Sequence, residues 1–364
     1  MPGSCLYRAM ASANKRSCHR FISLAMFPVT EQSPNTPQGQ DCLLIKVRIT
    51  VNVIIPGPVM PVNQILPGIL FCDMLNRDRK TEKMKRTDQQ RGKPPVKIAV
   101  FYENIYEGVQ ATGRQMEDVL TELRDAGLEM LYFSFDSLKR DREKVTGIMD
   151  KLGLHIEGVH GFCDFAADPD TDRFREMIDL AADAGAGNFL IIPGLFASGN
   201  TRRDLERMVT GTRKAAEYGR KRNIPVLMED FDGLLSPYNC IAGLRYFMES
   251  VEGLECAFDT GNFAAFHEDE LEAFDLFADR IRTVHLKDRL LTRRHEGDTP
   301  FVCADGKPVY ACAIGSGFIR IAEILARLKQ RGYSGNVIAE LYACDPHHVL
   351  QDAADSVRWL KERI

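Results

Sequence analysis

The sequence predicts an α/β protein: a closed barrel of eight parallel strands and their helices, a (β/α)8 barrel, behind a loosely ordered N-terminal extension. Three observations carry this. Short apolar, β-branched runs alternate with longer amphipathic stretches eight times across residues 96–364. The runs read as strands buried on both faces, which need helical crossovers and therefore run parallel. Eight such units in roughly 270 residues is the size of a closed barrel. An open doubly wound sheet would usually carry a Gly-rich first turn, and "FYENIYEG" after the first run has no GxGxxG.

The candidate strands, in order, are "VKIAVF" (96–101), "LEMLYFS" (128–134), "LHIEGVH" (154–160), "NFLIIPG" (188–194), "IPVLMED" (224–230), "LECAFD" (254–259), "IRTVHLKD" (281–288) and "NVIAEL" (336–341). Helical patterns lie between them, such as "QMEDVLTELRDAG", "DRFREMIDLAADAG" and "FIRIAEILARLKQRG". The last sets Ile319, Ile321, Ile324, Leu325 and Leu328 along one face and stops at Gly332. "DAG", "DAGAG" and "RGYSG", before strands two, four and eight, fit helix C-caps.

Residues 1–95 read differently. Prolines recur from Pro28 to Pro67, and a charged run, "RDRKTEKMKRTDQQRGK", follows. Two pieces look strand-like, "LLIKVRITVNVII" and "ILPGILFC", but neither keeps a period for long. "KRSCHRFISLAMFPV" has too short an apolar core for a signal peptide, and no small-residue cleavage site follows. The prolines interrupt the later apolar stretch before it could span a membrane. A loosely ordered extension is expected, with a natural start near Met84 left open.

The net charge of −4 gives no basic excess for a nucleic-acid partner. Ten Cys in 364 residues do not make a disulfide scaffold, and no CxxC occurs. Cys256, Cys312 and Cys344 read as reduced, partly buried thiols, in keeping with a cytoplasmic protein.

Barrel active sites are built at the C-terminal ends of the strands. There, strand five ends in Glu229, strand six in Asp259 ("CAFDTGN"), strand seven carries His285 and strand eight ends in Glu340. Neighbouring strands lie roughly 5 Å apart, so the four side chains can converge in one mouth. A lone strand-end Asp is usually a turn residue; four acidic or imidazole groups at consecutive ends are better read as ligands. Three carboxylates and one imidazole suit one divalent metal, Mn²⁺ or Mg²⁺, with Co²⁺ or Zn²⁺ as alternatives. Such an ion polarises a carbonyl, and Glu229 and Glu340 are placed to move the proton alpha to it. Return of the proton on the opposite face epimerises, return to the next carbon isomerises, and loss of a beta hydroxyl dehydrates.

These residues resemble those of the xylose-isomerase-like TIM barrel superfamily, the sugar phosphate isomerase/epimerase group that includes ketose 3-epimerases and inosose dehydratases. The resemblance covers residues 96–364. It implies Glu229 in "PVLMEDF", Asp259 in "AFDTGN", His285 in "VHLKDR" and Glu340 in "IAELY" as ligands of one divalent metal, with the two glutamates as the acid/base pair. The ketose 3-epimerases place a His soon after the Asp, where this chain has Asn262. They also carry a second Glu and an Arg near positions held here by Leu235 and Leu291. "HLKD" looks more like the inositol-dehydratase and broader isomerase branches. The His-rich zinc cluster of endonuclease IV relatives is not expected in a chain with eight His.

Other residues join the candidate site. His160 in "IEGVHGF" reads as a substrate-binding or proton-transfer residue, or as a structural His. Lys287 shares the strand face of His285 by period two, to stabilise an enediolate oxygen or to pair with Glu229 or Asp259. Asn262, Arg289 and Arg293 are candidate substrate contacts. "GSGF" near Gly315 can present backbone N–H groups to an anion. Phe101, Phe133, Phe162 and Phe231 could form an apolar wall.

The reading is an isomerase or epimerase of a sugar, sugar derivative or polyol ketone. Alternatives are a dehydratase using the same metal and a non-catalytic metal-stabilised binding barrel. The expected partner is a small carbohydrate or polyol, without nucleic acid or membrane, and a homo-oligomer fits such barrels.

Overall fold

A computed structural model describes residues 95–197 and 201–364, together with the backbone of three strands, Leu6–Ala9, Ile22–Val29 and Lys46–Val53. These three pair antiparallel in chain order, within a compact unit, Met1–Gly92, that clusters apart from Lys93–Ile364. Lys46–Val53 falls inside the strand-like "LLIKVRITVNVII". "ILPGILFC" and the expectation of loose order for the rest of 1–94 lie outside the described residues.

The second unit is a closed barrel of eight parallel strands in chain order. They are β1 (Ile98–Phe101), β2 (Met130–Ser134), β3 (His155–Phe162), β4 (Phe189–Ile192), β5 (Val226–Met228), β6 (Glu255–Asp259), β7 (Ile281–Leu286) and β8 (Asn336–Ala339). Each lies within its expected segment except β3, which runs two residues past His160 by pairing Phe162 with Ile192. The helices of the three quoted patterns span Met116–Ala126, Arg173–Asp183 and Ile321–Gln330. Their glycine stops, Gly127, Gly185 and Gly332, all have positive φ, which a side chain would resist.

Period-two alternation divides two cores. Ala99, Phe101, Met130, Tyr132, Leu190, Leu227, Ala257 and Ile338 fill the barrel interior. Val100, Leu131, Phe133 and Phe258 point outward against the helices. The expected apolar wall therefore does not form: Phe101 faces in, Phe133 faces out, and Phe162 is exposed.

Between β7 and Ile321–Gln330 the chain makes an excursion rather than a plain loop. Strands Asp288–Leu290, Phe301–Val302 and Pro308–Cys312 form a small antiparallel sheet with Pro308–Cys312 in the middle. Its return is fastened by the buried Asp288 carboxylate, which accepts from the backbone N–H groups of Arg289, Gly315, Gly317 and Ile319. The "GSGF" turn does hold an anion, and that anion is Asp288. Gly317 must stay small, because an added Cβ would collide with Asp288 Oδ1 and the Arg289 carbonyl oxygen. Gly317→Ala is expected to destabilise the barrel by about 1–3 kcal/mol in urea unfolding, the usual range for overpacking. An unchanged midpoint would mean the turn has room to move.

Candidate functional site

Four side chains meet at the C-terminal mouth of the barrel. Asp259 closes β6 and pairs in register with His285 of β7, while Glu229 and Glu340 follow β5 and β8 by one residue. One ligand atom from each lies within 4.8 Å of all the others. Asp259 and His285 are fully buried, and Glu229 is nearly so.

Their hydrogen bonding is incomplete in a particular way. Asp259 Oδ1 accepts the N–H groups of Gly261 and Asn262 at 2.7 and 2.8 Å. Asp259 thus starts the turn and, by the same bonds, aims Oδ2 at its neighbours. Asp259 Oδ2, Glu229 Oε2 and both ring nitrogens of His285 are buried without a hydrogen-bond partner. His285 Nδ1 approaches Glu229 Oε2 to 2.9 Å and Glu340 Oε2 to 3.6 Å, but not in hydrogen-bonding alignment. Buried polar atoms are seldom left unpaired. Lone-pair donors converging without bonding one another fit a shared hard divalent cation.

Lys287 lies beside them, fully buried. Its Nζ is 2.8 Å from Glu340 Oε1 and 3.3 Å from Asp259 Oδ2, and it donates to Asn262 Oδ1 at 2.8 Å. Of the two partners expected for Lys287, Asp259 is present. Glu340 stands in place of Glu229, because β8 neighbours β7 whereas β5 is two strands away. Asn262 also donates to the Asp230 carbonyl, so its amide is held at both ends.

Burial would lower the Lys287 pKa, but Asp259, Glu340 and Asp232 outweigh it and raise the value. Burial likewise opposes the charged Glu340, yet Lys287 and His285 hold it below the usual carboxylate range. The His285 pKa is raised because Glu229 and the other carboxylates outweigh burial. Asp259 is pushed up from 3.8 to about 7 by burial, which exceeds the opposing pull of Lys287. Asp230, buried with neither carboxylate oxygen bonded, is also raised, by burial and then by Asp259 and Glu229.

A pH dependence follows. Folded Asp259 holds its proton more tightly than the unfolded chain does, so its contribution to stability is full below about pH 4 and is lost as pH rises through about 7. Asp230 acts with the same sign. Chelator-treated protein is expected to unfold more easily in urea at pH 8 than at pH 5, with a shallower dependence in Asp259→Asn. Equal slopes in the two proteins would remove Asp259 as a cause.

His160 lies across the mouth. Its ring stacks on Tyr132 with centroids 5.7 Å apart, and its Nδ1 is buried and unbonded. Phe101 and Tyr132 separate it from His285, whose ring meets both edge-on. Glu157, also on β3, is bonded to Asn188 and Thr283 and takes no part in the quartet. Arg289 is buried, with Nη2 3.5 Å from Asp232 Oδ2 and the guanidinium 5.4 Å from the Phe301 ring centre. Arg293 is exposed, lying over Tyr310 on the excursion rather than with the quartet. Sequence reasoning passed over Asp230, Asp232 and Tyr132. The acidic density of "MEDFD" was the available signal for the first two.

Fold and site together define a (β/α)8 barrel with a carboxylate-and-imidazole centre at its mouth. Residues 120–363 match the family model of the xylose isomerase-like TIM barrel, and the chain belongs to that family. A search of curated proteins gives no match. Among solved structures, a probable 3-DHS dehydratase from Bacillus anthracis superposes with a TM-score of 0.58 at 14% identity, over 74% of this chain and 100% of that one. A D-allulose 3-epimerase from Methylomonas sp. gives 0.54 at 14% identity, over 74% and 99%. A 3-keto-D-glucoside 4-epimerase from E. coli gives 0.53 at 16% identity, over 74% and 100%. Among the described residues no helix is long and apolar enough to cross a membrane.

Proposed function

We propose that this chain is a divalent-metal-dependent isomerase or epimerase of a sugar, sugar derivative or polyol ketone. The observation that carries the reading is the convergence of Glu229, Asp259, His285 and Glu340 through buried atoms that lack other partners. The oxygen-rich set favours Mn²⁺, with Mg²⁺, Co²⁺ or Zn²⁺ also suited. The bound ion supplies polarisation of the substrate ketone, which acidifies the neighbouring C–H.

The chain's own groups then move the proton. Glu229 and Glu340 approach the centre from β5 and β8, so one takes the proton and the other can return it from a different side. Lys287, kept cationic by Asp259 and Glu340, stabilises the negative oxygen of the enediolate. Asn262 fixes the Lys287 ammonium. His160 and Arg289 take substrate oxygens from other parts of the mouth, and Arg293 can reach substrate only from the rim. The two epimerases among the structural neighbours support this reading.

A second reading is supported by the dehydratase among them: the same proton abstraction followed by loss of a beta hydroxyl. Elemental analysis paired with a ketose and inosose screen in D2O tests both. About one ion per chain is expected, together with deuterium entering alpha to the ketone. Retained mass apart from deuterium indicates an epimerase or isomerase, and loss of water a dehydratase. A protein that stays metal-free when these ions are supplied would end both readings.

A further inference from the structure

Arg289 is the least satisfied cation among the described residues. It is the largest of the fully buried side chains among the described residues, at 1% exposure. Its Nε and Nη1 have no hydrogen-bond partner, and Nη2 has Asp232 Oδ2 at 3.5 Å as its ion-pair partner. That same oxygen also lies 3.9 Å from Lys287 Nζ, so one carboxylate oxygen faces two buried cations. A guanidinium cannot shed its proton, and a buried charge needs both a counter-charge and hydrogen bonds. Asp232 supplies the charge at a distance and leaves the fork unfilled.

We propose that Arg289, with Lys287 beside it, receives an anionic group of the substrate, a carboxylate or a phosphate, in the place the Asp232 carboxylate takes here. The inference rests on the function proposed above and narrows its substrate to an acidic sugar derivative or polyol. Three features argue for an anion rather than a hydroxyl. The planar fork matches two oxygens of one carboxylate or phosphate. Charge stays balanced when one anion replaces another: a divalent ion with Glu229, Asp259 and Glu340 leaves one negative charge for Lys287, and Arg289 needs one more. Asp232 can yield its position, because its side chain is 16% exposed, more than Glu229, Glu340 or Asp259 at 11%, 12% and 0%. Asp232 then acts as a placeholder, neutralising Arg289 until the substrate's anion displaces it.

The test uses the full chain loaded with Mn²⁺ and two matched pairs of probes, gluconate with gluconamide and fructose 6-phosphate with fructose. Affinity is read by calorimetry and thermal shift, and metal content is measured on the same samples. At least one acid is expected to bind tighter than its neutral partner by roughly tenfold or more, the worth of a hydrogen bond to a charged group. Which acid does so tells a carboxylate from a phosphate. Arg289→Met should abolish the preference without changing metal content, and Arg289→Lys should keep only part of it. Asp232→Asn, which removes the competing carboxylate, should tighten the acid and enlarge its thermal shift, and it decides the matter even if Arg289→Met fails to fold. Acids that bind no better than their neutral partners, or a preference that survives in Arg289→Met, would overturn the proposal. An empty metal site with the acid preference intact would sink the metal reading and leave Arg289 standing; a loaded site indifferent to acids would do the reverse.

Discussion

Glu229→Gln is expected to empty the proposed metal centre and to lower proton exchange at the substrate by about 10²–10⁴-fold, the range that general acid–base catalysis contributes. The side chain loses its charge while keeping its shape, and a neutral amide is a poor ligand for a hard cation. Its Oε2 points at His285 Nδ1 from 2.9 Å without a hydrogen bond, so it serves the fold only through its attraction for that ring when protonated. The variant without metal should therefore be no less stable than the metal-free wild type, because three close carboxylates become two. What should disappear is the gain in melting temperature when Mn²⁺ is added, since only the folded state holds the preformed site. Elemental analysis and melting curves with and without Mn²⁺ read this directly. A Glu229→Gln protein that keeps its ion and its activity would remove Glu229 from the centre. One that melts well below metal-free wild type would show that the carboxylate serves the fold.

Most of the barrel was legible because its strands are short apolar runs whose ends coincide with a change of character. The residues at those ends, Asp259 above all, stand out against such runs. What escaped was decided by pairing between distant segments. The excursion after β7 forms its sheet from strands of 3, 2 and 5 residues, too short to show a period. That Asp288 fills the "GSGF" turn, or that Glu340 rather than Glu229 meets Lys287, follows from which strands are neighbours in the closed barrel. Asp232 belongs to a loop without periodicity: the acidic "MEDFD" marks the residue, but its place between Lys287 and Arg289 is set by distant segments. Arg293, four residues beyond Arg289, illustrates the same limit: a short antiparallel strand buries one and the turn after it exposes the other.

Lys287→Met separates the cation's structural role from its chemical one. Met is close in length and apolar, so the packing volume is largely kept, but Asp259 and Glu340 lose the ammonium at 3.3 and 2.8 Å. Removing one partner of a buried ion pair typically costs about 3–5 kcal/mol, a fall of roughly 10 °C in melting temperature for a domain of this size. The deficit should depend on two conditions. Adding Mn²⁺ should recover much of it, because a divalent ion neutralises the same carboxylates. Acidification should also shrink it: Asp259 already titrates at about 7 in the presence of Lys287, and without that cation its pKa rises further, so at pH 5 it is protonated and needs no counter-ion. On the proposed mechanism activity should not return with the metal, because an enediolate oxygen would still lack its ammonium. Melting curves at pH 5 and 8, each with and without Mn²⁺, give four values that fix the interpretation. A deficit equal in all four would make Lys287 an ordinary packing residue. A deficit that is largest at pH 8 without metal and smallest with it, beside persistent inactivity, would place Lys287 in the chemistry.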